Sequence, residues 1–305
     1  LDLTLLNNRL NVNLDYYDKL TDPLLAAVSV PSSVGSKRVM TNVGSQRTQG
    51  VSGTVKYSPV YHPEERINWT LSASFKHQKA KYEDIGNSLD QFNKENLNTS
   101  LVRYYDGGSP TALWAVRSLG INPSDGRELF LTKEGTYTFE YDTEDEVVVG
   151  NSEPKLEGVL GSTLYWKDFS FSLYFRYSLG ADVFTEATYN KVENISLAGL
   201  KSNQDKRALH DRWQKPGDHA KFKGISLTET TPISSRFVLR ENYIKAESIS
   251  VGYDFESQAV QKLGIQSLRL QANTTDLFRI SSIKEERGIE YPFARSFSFS
   301  LQVTF

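Results

Sequence analysis

The segment "ARSFSFSLQVTF", Ala294 to Phe305, puts Phe297, Phe299, Leu301, Val303 and Phe305 in one row and Ser296, Ser298, Ser300, Gln302 and Thr304 in the other. Side chains on a strand alternate between two faces, so this segment makes one apolar and one wet face. Two architectures use such a strand. One is an edge strand of a soluble sandwich. The other is a barrel strand with lipid outside and water inside.

The same period returns along the chain. Leu1, Leu3 and Leu5 alternate with Asp2 and Thr4, and Leu10 to Tyr16 continues after the turn pair Asn7-Asn8. Further runs fall at about Thr48–Tyr57, Ile67–Phe75, Leu156–Trp166, Phe169–Tyr177, Ile249–Phe255 and Leu268–Ala272, which gives nine strands with the last. Short links ("SPVYHPEER", Lys167-Asp168, "ESQAVQKLG") alternate with long ones: the polar stretch Thr21 to Gln46, then Gly86 to Ser152 and Asp182 to Ser235. A sandwich has no reason for that asymmetry. An outer-membrane barrel has short periplasmic turns and long outer loops. The spacing therefore predicts an all-β fold, a transmembrane antiparallel β-barrel. Its long loops are extracellular and its last strand runs inward to a periplasmic C-terminus.

Composition agrees. Hydrophobic residues make up 38% of the 305, below the roughly 45–50% of a globular chain, yet there are 16 Tyr, 16 Phe and 4 Trp. Few aliphatics with many aromatics suits a polar lumen ringed by aromatic girdles. Ser, Thr, Asn and Gln on a dry interior face would cost roughly 1–3 kcal/mol each when unpaired, so that face needs water or a polar filler. A net charge of −2 argues against a nucleic-acid surface. The absence of cysteine removes disulfides, thiol nucleophiles and thiolate metal sites. No apolar run approaches the ~18–20 residues of a membrane helix.

Several stretches resemble the SusC/RagA family of TonB-dependent outer-membrane transporters: "NNRLNVNLDYYDKLTDPLL", "NVGSQRTQGVSGTVKY", "DGGSPTALWAVRSLGINPSDGRELFLTKEGTYT", "GNSEPKLEGVLGSTLYWKDFSFSLYFRYSLGADVF", "DRWQKPGD", "NYIKAESISVGYDF" and "YPFARSFSFSLQVTF". They run in order across nearly the whole chain. Phe-Ser-Phe-Ser stands where a glycine is common, and Ser52 where an acidic residue is frequent. The resemblance implies an N-terminal plug and a barrel of about twenty-two strands, of which residues 1–305 are the C-terminal nine. It implies import of large nutrients, glycan or peptide, beneath a SusD-like lipoprotein, with energy from TonB through the plug. The terminal aromatic row resembles the signal such barrels present to their assembly machinery. The partners expected are the N-terminal plug and earlier strands, the SusD-like lipoprotein, TonB and the lipid bilayer. An open sheet in lipid would leave two unpaired edges, so Leu1–Leu6 and Ala294–Phe305 are each expected to pair with a strand from outside this chain. Two other classes share the strands: a passive porin, and a surface module that binds through its loops alone. A plug upstream would favour transport.

No residue pattern points to catalysis. No phosphate loop opens a helix, and no serine, histidine and carboxylate converge at a strand end by spacing. His62, His77, His210 and His219 share no ligand spacing. His210, Asp211, Asp218 and His219 in one loop, and "YDTEDE" at Tyr141 to Glu146, read more simply as solvated polarity than as metal or calcium sites, and no metal or cofactor is expected. The candidates for touching a nutrient or partner are Tyr104, Tyr105, Trp114, Arg117, Arg212 and Trp213, because sugars stack on aromatic faces flanked by polar groups. The alternative is that they pack the loops on themselves or on the capping partner.

Overall fold

The computed structural model describes residues 1–29, 35, 38–226, 228–255, 264–284 and 295–305. In chain order its strands are β1 (Asp2–Leu5), β2 (Leu10–Thr21), β3 (Leu25–Ser29), β4 (Arg38–Asn42), β5 (Ser45–His62), β6 (Ile67–Glu83), β7 (Ala112–Ile121) and β8 (Glu128–Leu131). Then follow β9 (Tyr137–Thr138), β10 (Glu146–Asn151), β11 (Leu156–Trp166), β12 (Phe169–Phe184), β13 (Val238–Phe255), β14 (Ser267–Thr275), β15 (Arg279–Ser281) and β16 (Ser296–Thr304).

Nine of these form one antiparallel path, β1-β2-β5-β6-β11-β12-β13-β14-β16, with β15 paired to β13 where β14 leaves off. The path contains the nine segments that alternation marks. Register carries each face across the sheet. Trp69, Leu164, Phe171, Val251, Ala272 and Phe299 lie opposite one another strand by strand, and so do Ile67, Trp166, Phe169, Tyr253, Leu270 and Leu301. Next to the first of these rows, on the other face, runs Thr70, Thr163, Ser172, Ser250, Asn273 and Ser298. A slip of one residue would move a whole strand's apolar set to the wet side, so the pattern itself fixes the register. The apolar face is open: Phe297, Phe299 and Leu301 are 61%, 76% and 64% exposed. A contiguous apolar surface of this kind marks contact with something other than water.

The short turns gather at one end, together with Phe305. Leu6, Asn7 and Asn8 take φ of 55°, 53° and 66°, a left-handed turn that asparagine tolerates. The β5–β6 turn is only Pro63–Glu65 with Arg66 left-handed, since Ser58–His62 belong to β5. Arg66 reaches Asp168 of the next turn at 3.1 Å. "ESQAVQKLG" and the start of the last segment, Ala294, lie outside the described residues, Gly264 apart.

The long connections hold more structure than the sequence pattern suggests. Thr21–Gln46, read as a polar loop, carries the β3–β4 hairpin. Gly86–Ser152 holds α1 (Asp90–Glu95) and a four-stranded sheet, β10-β7-β8-β9. Its strands are short and bend at bulges, which breaks the period. Wall strands also run further than their alternation. β13 starts at Val238 and β12 reaches Phe184, because at this end both faces carry polar or loop contacts and only the backbone ladder marks the strand. The buried cores sit here: Val192, Ile195, Ala208, Phe222 and Phe237 in one cluster, Leu101, Leu113, Ala115 and Ile233 in another. Burying each larger side chain among these is worth about 1.5–3 kcal/mol.

Candidate functional site

The two longest connections are built into one body. Glu128 on β8, Arg236 just before β13 and Glu193 at the end of a π-helical turn (Thr188–Glu193) form a buried triad. Arg236 donates to Glu128 (Nη2–Oε2 2.9 Å, Nε–Oε1 3.2 Å) and to Glu193 (Nη2–Oε1 2.9 Å, Nη1–Oε2 3.1 Å). Both carboxylate side chains are fully buried. The Ser234 hydroxyl donates to Glu128 at 2.6 Å and that of Thr231 to Glu193 at 3.0 Å. Burial works against the Arg236 charge, but hydrogen bonds to Glu193 and Glu128 overcome it and raise its pKa. Further joins are a parallel bridge between Val116 and Ser234 and a bond from the Tyr141 hydroxyl to the Ile233 carbonyl at 3.1 Å. Burial pushes the Tyr141 hydroxyl up, and nearby Glu146 adds to it.

Within the first connection, Arg103 and Glu146 make a second buried pair. Arg103 Nε and Nη2 donate to the two carboxylate oxygens at 2.9 and 2.8 Å, and Nη1 donates to the Ser100 and Val102 carbonyls. This ties the strip before β7 to β10. Beside it opens a cleft of about 1420 Å³, walled by Tyr105, Trp114 and Val148 and edged by Asp90, Glu134 and Glu144. The Tyr105 and Trp114 rings lie 5.0 Å apart at 54°.

The other sequence candidates fall in different places. Tyr104 packs between Tyr82 and Phe92, at 5.5 and 5.4 Å, and its backbone exchanges bonds with the Asn93 side chain. Arg117 donates to the Thr132 carbonyl. Arg212 is 5% exposed and donates to the Lys223 and Glu193 carbonyls, a packing role within the loop. Burial lowers its pKa. Trp213 bonds the Pro123 carbonyl at 2.9 Å and lies on Gly126, where a Cβ would come within 2.5 Å of the ring. The structure thus brings Tyr105 and Trp114 together and leaves Arg117, Arg212 and Trp213 elsewhere. Phe297, Phe299, Leu301 and Val303 form one row of β16, with Phe305 just beyond it.

The polar loop clusters serve local structure. Asp218 accepts from the Gln214 and Lys215 amides, which holds its carboxyl below the usual range. Asp142 accepts from the Glu144 amide and Asp145 from the Lys133 amide. Among the described residues no group of three or more acids and histidines could hold a metal ion. Alternation did not single out Glu128, Glu193, Arg236 or Arg103. One signal existed: in "ELF" Glu128 shares a strand face with the buried Phe130, and an acid there needs a cation.

Comparison with known proteins agrees with this architecture. A family model described as TonB dependent receptor-like, beta-barrel matches residues 1–127. TonB-dependent receptor P39 of Formosa agariphila is 23% identical over 92% of this chain and 31% of its own length. TonB-dependent receptor P26 of the same organism is 25% identical over all of this chain and 34% of its own. TonB-dependent receptor SusC of Bacteroides thetaiotaomicron is 23% identical over all of this chain and 31% of its own. Among solved structures, the RagAB peptide importer in the open-open state superposes with a TM-score of 0.74 at 18% identity, over 98% of this chain and 33% of that one. The fold is that of a TonB-dependent receptor β-barrel, of which the described strands make a partial wall. The SusC/RagA resemblance is supported, and the chain spans about a third of the length of the curated relatives it matches.

Proposed function

We propose that this chain is the C-terminal wall of an outer-membrane, TonB-dependent importer of large nutrients, glycan or peptide. Its apolar face meets lipid, its Ser/Thr/Asn face lines the lumen, and its joined loops face outside the cell. The observation that carries the reading is the sheet itself. One face is apolar across all the wall strands, and turns are short at one end while folded connections gather at the other. That asymmetry fits an outer-membrane barrel, whose short turns lie on the periplasmic side and whose longer loops lie outside. On this reading the wall closes with earlier strands, a plug couples it to TonB, and a SusD-like lipoprotein caps the loops. The Phe297–Phe305 row serves as the assembly signal. Tyr105 and Trp114 are the proposed nutrient contacts; Tyr104, Arg117, Arg212 and Trp213 hold the loops in shape.

The test is uptake by cells carrying the full-length gene product. Accumulation of oligosaccharides or oligopeptides should require both the protein and TonB. Uptake that persists after TonB loss would indicate a passive porin, and binding without uptake a surface module.

A further inference from the structure

We propose that the cleft beside Tyr105 and Trp114 receives a basic peptide. The proposal rests on reading these loops as the outer mouth of an importer, and it names the ligand chemistry that mouth selects. At about 1420 Å³ the cleft exceeds the roughly 300–1,000 Å³ of a small-molecule pocket, so it suits an oligomer. One wall is apolar. Tyr105 is 42% exposed, Val148 is 53% exposed, and Trp114 stands half-exposed between them. The rim is acidic. Asp90, Glu134 and Glu144 are exposed, and among the described residues none has an ion-pair partner. Lys94 and Lys133 are the cations facing them, while the charge of Glu146 is spent on Arg103.

A lysine or arginine side chain matches both halves. Its stem lies along apolar surface, its head reaches the carboxylates, and its charge is attracted to the face of Trp or Tyr. A neutral glycan would stack on the rings but gain nothing from the acids. An anionic ligand would be repelled by the rim, which makes the acids a device of exclusion as well as attraction. The walls are held by Arg103–Glu146 and by the bond from the Lys133 amide to Asp145, so little ordering remains to oppose binding.

The experiment uses the full-length protein purified in neutral detergent, with fluorescent peptides of alternating lysine and leucine, the same peptides with glutamate for lysine, and a neutral linear glucan. The lysine peptide should bind about tenfold tighter than either of the others, and the margin should shrink as salt screens the rim. The combined variant Asp90→Asn, Glu134→Gln, Glu144→Gln should erase the margin while the protein keeps its heat-modifiable mobility. Equal or tighter binding of the glutamate peptide or the glucan by the unaltered protein would overturn the proposal, whatever the variant does. So would a variant that keeps the margin. The import reading fails separately. TonB-independent uptake with the lysine preference intact contradicts import alone, and TonB-dependent uptake with no charge preference contradicts the cleft alone.

Discussion

Gly158 lies directly opposite Tyr177, whose hydroxyl passes over it to the Ser74 carbonyl at 2.9 Å. A Cβ at Gly158 would come to 1.9 Å from that carbonyl oxygen, a contact with backbone that cannot rotate away. Gly161 opposite Tyr174 is also tight, but its nearest neighbours are the Ser72 and Tyr174 side chains. Gly158→Ala should therefore cost about 1–3 kcal/mol, by overpacking, and clearly more than Gly161→Ala. Urea titration of folding into lipid vesicles checks the order; equal costs would contradict it. The β16 rows give a second comparison. An arginine facing lipid near the midplane costs about 2–4 kcal/mol, so Leu301→Arg should impair assembly far more than Ser300→Arg. Heat-modifiability of the outer-membrane fraction reads it, and equal tolerance would reverse or void the face assignment.

Among elements, the joined loops make the sharpest prediction. Removing the Arg236 guanidinium leaves Glu128 and Glu193 buried without their cation, a loss of about 3–5 kcal/mol. Arg236→Met should loosen residues 112–131 and 185–237 together while β11 to β13 stay protected, as hydrogen exchange would show. Loosening of one segment alone would contradict the single body. The same loops should be nicked by protease on intact cells, with Asn7-Asn8 and Lys167-Asp168 spared; cleavage at those turns would invert the orientation. Here the sequence was least legible. The wall strands show themselves because one face is greasy and one is wet along each, as in Phe169 to Tyr177. The triad does not, because Glu128, Glu193 and Arg236 meet across distant parts of the chain and no period links them. The β3–β4 hairpin is not legible in the sequence because its strands are five residues each and neither alternates apolar with polar residues. Of the six aromatic and arginine candidates, types suited to ligand contact are equally suited to packing. Only burial separates Arg212, spent on carbonyls, from Tyr105, open in the cleft.

For the whole molecule, the proposed function stands on one sheet with an apolar and a polar face. Among the described residues β1 and β16 each pair on one side only, and unpaired backbone groups in hydrocarbon cost several kcal/mol each, so the proposed wall is completed by further strands. These 305 residues contain no cysteine, so a cysteine introduced in β16 is the one labelling site within them. The most direct measurement is a nitroxide scan of Ser296 to Thr304 in the full-length protein, placed one residue at a time in lipid bilayers, with oxygen and a water-soluble nickel complex as relaxing agents. A period of two is expected: labels at Phe297, Phe299, Leu301 and Val303 relaxed by oxygen, and labels at Ser298, Ser300 and Gln302 turned away from lipid. A scan without that alternation, or with the serine row in lipid, would contradict the proposed function.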